Sequence, residues 1–202
     1  MTHPFQSKCV LSENLLLAYA TALPAETVGW GRLQPGDLER VLALHTAYAD
    51  LMRRTPYLAG VRSSTLLAQV LGSMRQAVES TAKTPAIGKP SDRVLFIAGH
   101  DTNISNISGM LDLTWKLPGY PRDDASLGGA LVFSVWRDPA RAPLVTLRVL
   151  AQTPEQLQSA ATLSLASPPA FADLPVPGCA TAAPCPWPAF AAAVERALGP
   201  TF

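Results

Sequence analysis

Val94-Leu95-Phe96-Ile97-Ala98-Gly99-His100-Asp101-Thr102-Asn103-Ile104-Ser105-Asn106-Ile107-Ser108-Gly109-Met110-Leu111 is the stretch on which the fold turns. Val94 to Ala98 are all apolar, so neither side of an extended chain would be polar; the run reads as one strand buried on both faces. Gly99 breaks it, and His100 and Asp101 stand at the strand's C-terminal end. Thr102 or Asn103 can cap a helix, and Ile104, Ile107 and Leu111 recur at helical spacing behind that cap. The pattern is strand, tight turn, helix, with an imidazole and a carboxyl at the turn. In open α/β sheets ligands sit at the carboxyl ends of strands, and a helix N-terminus there favours an anion. An adjacent His-Asp pair taken alone is also compatible with a solvated turn.

The 202 residues suffice for one domain, and 48% hydrophobic against 15% charged content excludes general disorder. A net charge of +1 gives no footprint for nucleic acid or a membrane surface. The longest apolar runs, about half a dozen residues, fall far short of a membrane span. Met1 to Cys9 lacks the basic-then-apolar layout of a signal peptide. Taken literally that predicts a cytoplasmic protein; if Met1 is not the biological start it predicts nothing.

Cys179 and Cys185 flank Ala-Thr-Ala-Ala-Pro between Pro-rich segments. A disulfide-closed loop is expected there in preference to free thiols, and zinc is not, because no His lies near and the spacing is wrong. Cys9 is left over. A disulfide would imply an oxidising compartment, which conflicts with the absent signal peptide.

Upstream, Val10 to Thr21 has helical period, with Glu13 inside it, and Pro24 ends it. Gly29-Trp30-Gly31-Arg32 reads as a turn with an aromatic anchor. A second helix starts with Asp37 as N-cap and runs to about Arg54, with His45 on its apolar stripe as a packed, hydrogen-bonded histidine. Arg53-Arg54-Thr55-Pro56 closes it. A third helix is expected from about Ser63 to Ser80, which puts Arg62 at a helix N-terminus, where a cation is not needed for stability and a ligand role is open. Downstream, Asp112 to Asp124 reads as an ordered loop. Ala130–Trp136 and Pro143–Ala151 form a hairpin, Glu155–Ala160 a short helix, 161–186 a surface loop, and Pro188–Leu198 a closing helix.

Several of these segments, in order, resemble one family, the histidine acid phosphatases, and within it the bacterial phytase and glucose-1-phosphatase group. The resemblance is carried by Leu11-Ser12-Glu13-Asn14-Leu15-Leu16-Leu17, Gly29-Trp30-Gly31, Leu44-His45 and Leu51-Met52-Arg53-Arg54-Thr55-Pro56-Tyr57. Phe96 to Asn103, Leu117-Pro118-Gly119-Tyr120-Pro121 and Gly128 to Phe133 continue it. It implies an α/β chain with a partial phosphoglycerate-mutase-like fold: a helical portion at about 1–85 and an α/β portion at about 86–202 that brings the C-terminal strands of the central sheet. It also implies phosphomonoester hydrolysis through a phosphohistidine, with neither metal nor cofactor. His100 would hold a phosphoryl oxygen, Asp101 would protonate the leaving alcohol, Thr102 would help line the site, and Glu13 and Arg62 would fall in the substrate pocket. A periplasmic or secreted protein is implied too.

The chain departs from the family in one respect. No Arg-His-Gly-x-Arg-x-Pro nucleophile motif occurs; His3 precedes Pro4, and His45 is flanked by Leu44 and Thr46. The chain therefore looks like the C-terminal half of such an enzyme, with Val94–Ala98 left at an unpaired sheet edge. Three readings remain: part of a longer phosphatase, a non-catalytic phosphate binder, or one chain of a two-chain enzyme whose partner is the missing N-terminal half.

Overall fold

The computed structural model describes residues 4–21, 23–24, 26–33, 36–81, 85–138, 141–179 and 184–199. His3 and the Cys9 side chain lie outside the described residues. In chain order the elements are α1 (Pro4–Ala20), a 3-10 turn (Val28–Gly31), α2 (Asp37–Met52), α3 (Pro56–Glu79), α4 (Asp101–Met110), β1 (Ala130–Asp138), β2 (Arg141–Ala151), α5 (Pro154–Gln158), β3 (Ala170–Leu174), β4 (Cys185–Pro186) and α6 (Trp187–Leu198). The sheet runs β1-β2-β3, and β4 pairs antiparallel with β2, Val145 opposite Cys185. Mixed helices and an antiparallel hairpin match the expected class.

The chain divides into two compact units. The first comprises Met1–Met52, Thr114–Ala130 and Val149–Ala172. In it α1 packs on α2 through Leu16, Leu42 and Ala49, and α5 packs on α1. The 114–124 loop is ordered because buried Asp123 accepts from the Trp115 N–H and the Thr114 hydroxyl, both at 2.7 Å, and the Trp115 indole donates to the Asp124 carbonyl at 3.1 Å. Trp30 is no anchor: it takes a positive φ of 58° and is 77% exposed. His45 is buried, its Nδ1 3.6 Å from the Asp124 carboxylate, in keeping with a packed histidine.

Tyr120 is buried in the same unit and donates to the Gln152 carbonyl at 2.8 Å. Burial, and then the Asp124 carboxylate, push its phenol well above the ordinary value of 10.0. The folded state thus favours the neutral phenol. The stability this contributes is complete below pH 10 and is lost as pH rises beyond it, where the unfolded chain releases the proton first. Thermal unfolding between about pH 8 and about pH 11 is expected to fall more steeply for the native chain than for Tyr120→Phe, which lacks that proton. Near neutrality the substitution should cost only about 1 kcal/mol, for the lost hydrogen bond.

The second unit comprises Arg53–Leu113, Leu131–Arg148 and Asp173–Phe202. Its helices α3 and α4 meet over small residues, with Ala59, Ser63, Leu67, Ser105 and Ser108 buried and Asn106 Nδ2 donating to Ser63 Oγ at 3.1 Å. Phe190 of α6 lies 6.2 Å from Phe133 of β1, ring centre to ring centre. Segment 161–186 is more than a loop: it holds β3 and β4, whose pairing comes from β2 rather than from their own composition. Cys179 and Cys185 form the expected disulfide, with Cα atoms 5.9 Å apart. Closing six residues constrains the unfolded chain by about 2 kcal/mol, and unfolding with and without reductant is expected to differ by that amount.

Two further expectations fail. α3 begins at Pro56, not Ser63, because proline's fixed φ suits a first helical position and Gly60 is tolerated inside the helix. Arg62 therefore sits within α3, exposed, and the helix-terminus argument for it is withdrawn. Val94 to Ala98 forms no ladder and is not buried. Its exposures alternate at 85, 40, 84 and 39% for Val94, Leu95, Phe96 and Ile97, the period-two signature of an extended chain covered in part on one side only.

Candidate active site

The site is built on the N-terminus of α4. His100 has extended φ and ψ of −122° and 166° and is itself the N-cap, so the helix begins at Asp101 and neither Thr102 nor Asn103 is the cap. Asn103, at the third helical position, turns back to accept from the His100 N–H at 2.9 Å. That bond fixes the backbone at His100, whose side chain is exposed. One oxygen of the Asp101 carboxylate accepts from the Thr102 N–H at 2.7 Å and from the Thr102 hydroxyl at 3.2 Å. The other is ion-paired with Arg53.

Arg53 and Arg54 come from the short corner between α2 and α3, where Pro56 restricts Thr55 to an extended backbone. Arg54 reaches the far end of α4: Nη1 donates to Ser108 Oγ and Nη2 to the Leu113 carbonyl, both at 2.6 Å. The two arginines thus span α4, one at each end. Reading the sequence alone treats them as residues that close a helix; the signal that could have singled them out is two adjacent guanidiniums in a corner stiffened by Thr-Pro.

His100 as N-cap and Asp101 and Thr102 in the first turn stand side by side at the start of α4, with Arg53 against the Asp101 carboxylate. Arg62 is one residue before Ser63, which binds Asn106 of α4. Glu13, half-exposed on α1, belongs to the other unit. Among the described residues no group of three or more His, Cys, Asp or Glu converges as a metal site. No described helix is long and apolar enough to cross a membrane. A helix N-terminus flanked by a guanidinium and an imidazole is a place for an anion, and a carboxyl beside it can exchange a proton with that anion.

The model of the histidine phosphatase superfamily (branch 2) matches residues 17–151, and the chain belongs to that family. Phytase AppA of Escherichia coli is 36% identical over 178 residues, 84% of this chain and 39% of that protein. A glucose-1-phosphatase of Providencia rettgeri is 25% identical over 90% of this chain and 42% of its own length. The Hafnia alvei phytase structure in complex with tartrate superposes with a TM-score of 0.85 at 38% identity, covering 97% of this chain and 48% of that one. The chain thus spans less than half the length of these relatives.

Proposed function

We propose that this chain carries the proton-donating and phosphate-holding portion of a phosphomonoester hydrolase that acts on phytate or sugar phosphates. The observation that carries the reading is the pairing of His100 and Asp101 on the first turn of α4 with Arg53 against the carboxylate. Family membership and the phytase and glucose-1-phosphatase relatives support the reaction class.

The reaction proceeds in two displacements. A histidine outside these 202 residues attacks phosphorus; a P–N bond forms as the P–O bond to the leaving alcohol breaks. Asp101, protonated, gives its proton to the departing oxygen, so no free alkoxide is released. Water then cleaves the P–N bond, and the Asp101 carboxylate takes the water's proton. Charge in each transition state spreads over the equatorial phosphoryl oxygens, where the α4 N–H groups, the His100 imidazole and the Arg53 guanidinium stabilise it. A phosphate dianion competes with Asp101 for Arg53, and like charge beside the carboxyl favours its protonated form. Catalysis at acidic pH follows.

The disulfide supports an oxidising compartment such as the periplasm. The test joins this chain to the portion of the Escherichia coli phytase that it does not match and measures p-nitrophenyl phosphate hydrolysis at acidic pH. Turnover by the joined polypeptide, absent from the 202-residue chain alone, is expected. A joined polypeptide that folds, binds inorganic phosphate and yet hydrolyses nothing would favour a phosphate-binding role instead.

A further inference from the structure

The Asp101 carboxylate is held in a way that opposes the proton the proposed reaction asks it to carry. Oδ1 accepts twice from Thr102, from the N–H at 2.7 Å and from the hydroxyl at 3.2 Å. The oxygen suited to a transferable proton is therefore Oδ2, and onto Oδ2 Arg53 donates from Nη1. A guanidinium only donates, and the O–H oxygen of a carboxylic acid is a far weaker acceptor than a carboxylate oxygen. The Arg53 pair and a proton on Oδ2 thus exclude one another. The two side chains are 16% and 28% exposed, so water screens the pair only in part. With no phosphoryl group present, an opposite charge and two further donors favour the ionised carboxylate.

We infer that Arg53 times the proton of Asp101: it holds Oδ2 while the site is free and passes to the phosphoryl oxygens when a phosphate ester binds, leaving Oδ2 to take a proton from water. This rests on the general-acid reading above and adds the regulation of that acid. The two adjacent arginines divide the work. Arg54 is anchored at the far end of α4 by two hydrogen bonds of 2.6 Å and keeps the corner in place. Arg53 meets the first turn, where an anion at the helix N-terminus would lie beside the carboxylate it already holds. Its transfer is a change of acceptor by a long side chain and needs no movement of α4. The protons balance over the cycle. One enters from water as the ester binds and leaves on the alcohol as the P–O bond breaks and the P–N bond forms. The attacking water gives its own proton to Oδ2. That proton returns to solvent when phosphate departs and Arg53 comes back.

The other titratable and charged groups around this turn are the His100 imidazole, Arg54, and Tyr57 and Arg62 on α3, which packs on α4. They are the same in every polypeptide compared below, as is the ester's own ionisation, so a difference between variants belongs to residue 53. The test uses the joined polypeptide with glycerol 2-phosphate. The pH dependence of kcat/KM reports Asp101 in the free site, and pre-steady-state glycerol release at saturating ester reports it in the bound one. Removing Arg53 lets Oδ2 keep its proton to higher pH in the free site. Arg53→Gln is therefore expected to move the fall of kcat/KM with rising pH upward by about one unit or more. The corresponding fall in glycerol release should stay where it is, while the release rate itself drops because the phosphoryl group has lost a cation. Arg53→Lys keeps the charge and is expected to restore the native position of the kcat/KM profile. Both profiles moving together in Arg53→Gln would overturn the inference, because Arg53 would then remain on Asp101 in the bound site. So would no movement in either. Glycerol release untouched by Asp101→Asn would bring down the chemistry proposed above; release that needs Asp101, with profiles that move together, would bring down the timing alone.

Discussion

Asp101→Asn in the joined polypeptide is expected to lower kcat for alkyl phosphomonoesters by about 10²–10⁴-fold, the usual worth of a positioned general acid. The amide keeps the size and much of the hydrogen bonding of the carboxyl, so Thr102 stays in place. What it cannot do is release a proton to the departing oxygen. Binding should suffer less than turnover, because the guanidinium of Arg53, freed from its ion pair with Asp101, remains available to a phosphoryl group. KM is therefore expected to change by far less than kcat. A structural role for Asp101 predicts the opposite pattern: lowered thermal stability, with kcat and KM disturbed together.

The second large effect lies at the other end of the helix. A Cβ on Gly109 would stand 2.4 Å from the Arg54 carbonyl oxygen and 2.5 Å from its Cα, and backbone on both sides cannot yield as a flexible side chain would. Gly109→Ala is expected to destabilise the chain by about 3 kcal/mol, at the upper end for overpacking. At this size that lowers Tm by roughly 6–12 °C. The same clash pushes α4 away from the corner that carries Arg53 and Arg54, so phosphate affinity should fall with stability. Gly60→Ala provides the contrast. Nothing lies within 4 Å of a Cβ there, and in a helix interior alanine is favoured by up to about 1 kcal/mol, so Tm should rise slightly. If both substitutions gave the same Tm, close α4 packing against residue 54 would not be what holds this corner.

The helices were readable because their stripes recur at 3.6 residues, and the hairpin because two β-rich runs face each other across Pro139-Ala140. His100 and Asp101 were readable because strand, glycine and helix signals follow within a few residues. Arg53 was not, because its partner Asp101 lies 48 residues along the chain and only the packing of α3 on α4 closes that distance. The start of α3 was misread because Thr-Pro signals an end and a beginning with the same residues. β3 and β4 were missed because strands of five and two residues are defined by the neighbour they pair with. The apolar run at 94–98 was misread as a buried strand, because pairing and burial are properties of what packs against a segment, and no described strand pairs with this one.

The account rests on Asp101 as the proton donor beside a phosphoryl group held at the N-terminus of α4. Its most direct test is the leaving-group dependence of hydrolysis by the joined polypeptide, compared between the native sequence and the Asp101→Asn variant. A p-nitrophenolate departs without a proton and an alkoxide does not. The predicted result is a large loss in the rate of the first displacement, read as the pre-steady-state release of alcohol, from an alkyl phosphate, with the release of p-nitrophenolate nearly spared. An equal loss on both esters would contradict it.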